Sequence, residues 1–161
     1  MAVEDDFSVT RTGDREIAIR RTFAASPTAV FEAMTEPAQL RRWLSAGSRK
    51  LTVCEVDLRE GGSYRYVFEG EGGATFGMGG TYREVVVGER IVNTESYDGY
   101  EWKPLVVTTR FAAIDEQRTR IEIAVLYPSK EICDRDAPNL EDGAPTYRRL
   151  AELLASEDEA R

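Results

Sequence analysis

Four tyrosines, Tyr64, Tyr66, Tyr82 and Tyr97, fall on segments whose side chains alternate in character. Phenol groups turned into a cavity could hold a carbonyl or an enolate, whereas phenols in a core would lend their rings to packing and their hydroxyls to the backbone. Glu55, Glu84 and Glu95 lie on the same kind of segment; a strand carboxylate turned inward keeps its proton to unusually high pH, and one facing water does nothing unusual. Asp57-Leu58-Arg59-Glu60-Gly61-Gly62 reads either as an oriented acid–base pair or as a turn tied by Asp and Arg. The chain has no histidine, so imidazole is excluded as base, triad member or ligand. Cys54 and Cys133 lack metal-ligand spacing and are expected to be free thiols with nothing to activate them. The glycine-rich loops lack the lysine of a phosphate cradle. Any catalysis would rest on carboxylates, tyrosines, Arg or Lys, and no cofactor or metal is implied.

The elements that must position these groups are mostly strands. In Leu51 to Glu69, Tyr64, Tyr66 and Phe68 share one face at a period of two, and Gly61-Gly62 permits a sharp reversal, which predicts a hairpin. The same alternation predicts strands over 15–23, 50–57, 63–69, 74–87, 90–97, 104–113 and 118–127. Phe76, Met78, Gly80 and Tyr82 are expected on one face of the long strand, whose glycines let it bend or bulge. Ser26-Pro27 is a helix start, with Val30, Phe31 and Met34 on the apolar side. Thr35-Glu36-Pro37 repeats the signal for a second short helix carrying Leu40, Trp43 and Leu44. A short helical piece follows Pro128-Ser129, and Tyr147, Leu150, Ala151 and Leu154 give 146–155 the stripe of an amphipathic helix. Trp102 is expected to anchor a loop.

A chain of 161 residues, 42% of them hydrophobic, suits one domain with one core. Residues 1–14 read as a flexible leader, 15–155 as the domain and 156–161 as an acidic tail. With 29 acidic against 21 basic residues and a formal net charge of −8, there is no surplus of cations for a phosphate backbone, so nucleic acid is not expected as a partner. No apolar run is long enough to span a membrane and the start lacks a signal-peptide pattern, which predicts a cytoplasmic protein. Short connections keep consecutive strands antiparallel, and a twisted sheet can curl around the last helix. The gap between them is the natural place for a cavity.

The order of elements and its local motifs resemble the START-like, helix-grip superfamily known as SRPBCC, and within it the homologues of the activator of the ninety-kilodalton heat-shock protein ATPase. The resemblance rests on Arg20-Arg21-Thr22-Phe23, Ser26-Pro27, Val30-Phe31, Trp43, Asp57 to Gly62, Gly80-Thr81-Tyr82-Arg83-Glu84, Glu89-Arg90-Ile91-Val92, Thr119-Arg120-Ile121 and Arg149 to Leu154, collinear over 15–155. It implies an α+β, Bet v-like architecture: a seven-stranded curved antiparallel sheet, two short helices after the first strand, and a C-terminal helix across the concave face. The chain departs from its relatives at Pro145, where a helix start or kink is expected, and at Glu95, where an aromatic ring is usual. The function that follows is a binding module, not an enzyme, whose cavity takes a small apolar ligand, lipid-like or aromatic. The expected lining is Trp43, Tyr64, Tyr66, Phe68, Phe76, Met78, Ile91, Glu95, Tyr147 and Leu150. The alternatives are a polyketide cyclase or aromatase using Tyr and carboxylate groups, and a stress-response module that binds a chaperone or regulatory protein.

Overall fold

A computed structural model describes residues 4–159. Alternating apolar positions become the strands β1 (Ser8–Arg11), β2 (Glu16–Phe23), β3 (Lys50–Val56), β4 (Ser63–Glu69), β5 (Thr75–Val86), β6 (Arg90–Tyr97), β7 (Leu105–Asp115) and β8 (Arg118–Leu126). They form one antiparallel sheet in the order β1-β2-β8-β7-β6-β5-β4-β3. From β3 onward the sheet is a meander, because short loops allow only neighbours to pair. The long-range closure is β2 against β8, from Glu16↔Leu126 to Phe23↔Thr119.

The helices are α1 (Pro27–Ala33), α2 (Pro37–Trp43), α3 (Lys130–Glu141) and α4 (Ala144–Glu159). Ser26 Oγ accepts the Ala29 amide at 3.2 Å and Pro27 takes the first turn, as their spacing implies. Thr35, expected to help start α2, instead donates its hydroxyl to Phe31 O at 2.8 Å and closes α1. Ser129 Oγ caps α3 through the Ile132 amide at 3.2 Å. Pro145 sits in the first turn of α4, where a missing N–H costs nothing. Leu150, Leu153 and Leu154 then enter the same apolar cluster as Ile17, Ile19, Phe23 and Ile123 of the sheet. This is the expected α+β helix-grip arrangement, with eight strands in place of seven.

The extra strand lies in the stretch read as a leader. Ser8–Arg11 pairs with β2 from Ser8↔Arg20 to Arg11↔Ile17. Upstream of it, Asp6 Oδ1 accepts the Thr22 amide at 2.7 Å and its Oδ2 accepts the Thr22 hydroxyl at 2.6 Å, so the carboxylate replaces the strand partner that β1 no longer supplies. Asp5 contacts Arg21 at 3.3 Å and Arg148 of α4 at 3.3 Å. Phe7 stacks on Tyr147 with ring centroids 5.7 Å apart. The polar composition of this segment therefore reflects specific pairing. At the other terminus α4 runs on to Glu159, through residues read as an acidic tail; residues 1–3, 160 and 161, also assigned to leader and tail, lie outside the described residues.

Candidate functional site

Between the concave face of the sheet and the helices lies a cavity of about 280 Å³. Its floor follows the register of the central strands. Ile91 is opposite Thr109 and Asn93 opposite Val107 on β6 and β7, while Thr109 faces Ile123 and Val107 faces Val125 of β8. Tyr66 and Met78 are a cross-strand pair of β4 and β5. Helices α1 and α2 close it with Met34, Leu40 and Trp43, α3 with Leu140 and α4 with Tyr147. Trp43 is fixed by donating its indole N–H to Ala33 O at 2.8 Å.

Eight of the ten residues expected to line a cavity do so: Trp43, Tyr64, Tyr66, Phe68, Met78, Ile91, Glu95 and Tyr147. Two do not. Phe76 is 42% exposed and stacks on Tyr97 at 5.8 Å. Alternation gave it the right face and it stands opposite Phe68, but its ring lies against Tyr97 near the surface and not among the cavity-lining residues. Leu150 is wholly buried because α4 presses it into the apolar core, leaving Tyr147, one turn earlier, to face the open space.

The tyrosines divide into two kinds. Tyr64 pairs with Gly80, yet its hydroxyl donates to Thr94 O on the next strand at 2.7 Å. Its ring crosses β5 where Gly80 offers no side chain, and a Cβ there would lie 1.9 Å from Thr94 O. Asn93 Nδ2 donates to the same hydroxyl at 3.1 Å. Burial pushes the Tyr64 phenol far above its ordinary pKa, so it is a fixed wall group and not an acid. The hydroxyls of Tyr66, Tyr82 and Tyr147 make no hydrogen bond to a described residue, and burial again raises all three.

The polar end of the cavity is at Glu95. Tyr97 Oη donates to Glu95 Oε2, and Glu95 is one of the residues that line the cavity. In the same row of the sheet, Glu95 is opposite Leu105, beyond which Tyr127 donates to Asp136 Oδ2 of α3 at 2.5 Å. Burial raises the Glu95 pKa, the Tyr97 hydrogen bond partly offsets it, and the charge of Asp136 raises it further. Sequence analysis picked out Glu95 but missed Tyr127 and Asp136. Asp136 lies on a polar helix whose docking over this end of the sheet leaves no signal in alternation.

The other groups weighed from the sequence lie elsewhere. Arg59 Nε donates to Asp57 Oδ1 at 3.1 Å on the surface, which makes the motif a turn clasp. Glu84 pairs with Arg90 and Glu55 is exposed. Cys54 and Cys133 are free and buried, and burial raises both thiols away from the reactive form. Trp102 packs edge-on against exposed Tyr100 at 4.8 Å, anchoring the loop it sits in. Among the described residues there is no cluster of three or more metal-ligating side chains, and no helix is long and apolar enough to cross a membrane.

The family model described as activator of Hsp90 ATPase homolog 1-like protein matches residues 24–155. A crystal structure of a protein from Rhodobacter sphaeroides is 29% identical, with 92% of this chain and 98% of that one covered and a TM-score of 0.85. One from Chromobacterium violaceum is 27% identical over 88% and 98% of the two chains, with a TM-score of 0.76. A solution structure of an AHSA1-like protein from Aeromonas hydrophila is 20% identical over 86% and 94%, with a TM-score of 0.69, a likeness of fold. Among curated proteins no sequence matches.

Proposed function

The chain belongs to the activator of Hsp90 ATPase homolog 1-like family, and from that premise we propose that it is a binding module that encloses one small, largely apolar molecule between its sheet and its C-terminal helix. The observation that carries this reading is the cavity: about 280 Å³ bounded by aromatic and aliphatic side chains, in a fold whose core could have closed without it. A void of that size lined by such groups forgoes contacts that a filled core would make, which favours a guest as its reason. The volume suits a ligand of one or two rings or a short branched chain, since roughly 150 Å³ already admits benzene. It argues against a long lipid or an extended polyketone. Burial of the guest would contribute roughly 25 cal/mol per Å² of apolar area. Two buried free thiols support a reducing, cytoplasmic setting.

Native mass spectrometry of protein isolated from its own host tests the reading. A retained adduct of one small molecule is expected, lost when Val107→Phe fills the cavity. Protein at its bare mass that also fails to bind small aromatic probes in solution would sink it. An enzymatic reading, in which Glu95 moves a proton, stands second because this carboxylate lines the cavity and is hydrogen-bonded by Tyr97. It requires turnover, and binding without product separates the two. The exposed Phe76 and Tyr100 are the feature that a chaperone or other protein partner would use.

A further inference from the structure

The cavity wall is mainly aliphatic and aromatic, with Thr35, Asn93 and Thr109 as its neutral polar side chains besides the tyrosines. Of the groups that line it, Glu95 is the ionisable carboxylate, and among the described residues no Lys or Arg contributes to the lining. Tyr97 donates its hydroxyl to one of the Glu95 oxygens, Oε2. Of the titratable groups around this position, Tyr97 on its own strand donates to it and the charge of Asp136 of α3 raises its pKa, while the charge of Glu95 helps to raise the phenols of Tyr64 and Tyr66 of β4, Tyr127 after β8 and Tyr147 of α4. None of these groups is a cation. Aromatic rings make up much of the wall, among them the pairs Tyr64–Tyr66 and Trp43–Tyr147, whose ring centroids are 5.2 and 6.2 Å apart. A carboxylate with no cationic partner in the lining favours a positive charge and disfavours an anion, and aromatic rings can accept a cation on their faces.

We propose that the molecule this cavity takes is a small organic amine: an aromatic or branched apolar body seated among the rings, with one ammonium group docked on the carboxylate of Glu95. The inference rests on the cavity being a ligand site and adds the chemical class. A neutral guest would leave Glu95 unmatched at the polar end, and a carboxylate guest would be repelled by Glu95 and Asp136 together. An ammonium ion satisfies the carboxylate with a charge-assisted hydrogen bond in a place sheltered from water. Glu95 must be ionised to act in this way, so amine binding strengthens as pH rises through its elevated pKa and does so only below the pKa of the amine.

Three probes with one body and different heads separate the possibilities: 2-phenylethylamine, 2-phenylethanol and phenylacetate, titrated calorimetrically into the full chain at pH 8. The amine is expected to bind about tenfold tighter than the alcohol, a difference of about 1.4 kcal/mol, with phenylacetate weakest. Lowering the pH to 5 should reduce the preference. Glu95→Gln should bring amine and alcohol within about twofold of each other while alcohol binding persists. Alcohol binding as tight as amine binding in the wild-type chain would overturn the amine assignment and leave the cavity reading standing. A folded Glu95→Gln chain that loses both ligands equally would do the same. If none of the three binds, both readings fall. The wild-type ranking decides the matter even if the variant does not fold.

Discussion

Glu95 is the residue at which this chain departs from the uniformly apolar interior its alternation implies. Its folded-state pKa is raised chiefly by burial, so the folded protein favours the protonated form more than the unfolded chain does. The stability that protonation contributes is complete below the ordinary carboxylate pKa and is lost as pH climbs through the raised value. Glu95→Gln, which keeps the shape without the charge, should therefore stabilise the ligand-free protein at pH 7.5 by roughly 1 kcal/mol, a figure kept low because Glu95 is half-buried and already accepts the Tyr97 hydrogen bond. The gain should disappear near pH 4, and thermal melts of both proteins across pH 4–8 measure it. A variant less stable than wild type at pH 7.5 would mean the carboxylate is compensated in the fold. That Glu95 mattered was legible because a charge interrupts an apolar face. Its neighbour Asp136 was not, since only the docking of α3 brings the two together.

Helix α4 and the amino-terminal segment that packs on it were legible to very different degrees. The stripe of Tyr147, Leu150, Ala151 and Leu154 announced α4, and Leu150 turned out to be wholly buried core instead of cavity wall. Leu150→Ala should cost about 2–5 kcal/mol, read from the denaturation midpoint, because the space it leaves cannot collapse onto a rigid sheet. The amino-terminal segment carried no periodic signal: Asp5 and Asp6 act through single carboxylates and Phe7 through one ring. Partial burial pushes the Asp6 pKa up, but two hydrogen bonds from Thr22, together with its own amide and the charge of Arg21, hold it below the ordinary range. Asp6 thus stabilises the fold above the ordinary carboxylate pKa, and this is lost as pH falls through its depressed value. Asp6→Ala should cost about 1 kcal/mol at pH 7, a figure reduced because the group is exposed to solvent. The difference from wild type should shrink below about pH 3.8. An unchanged melting temperature at neutral pH would show that β1 holds without its anchor.

At the scale of the whole molecule, the architecture follows from few rules: short connections make neighbouring strands antiparallel, and one apolar helix face must find the sheet. Those rules act within a window of a few residues, so the sequence carried the strands, the two capped helices and the closing helix. It did not carry how far the helix stands off the sheet, which depends on how side chains as distant as Trp43, Tyr66 and Tyr147 meet. The presence of an open interior is therefore the claim most in need of direct test. Methyl-resolved NMR of the wild-type chain titrated with toluene reads it without any assumption about the natural guest. The account predicts saturable shifts at Met34, Met78, Ile91 and Ile123, abolished in a folded Val107→Phe variant. Signals of these four residues that stay fixed up to saturating toluene would contradict it.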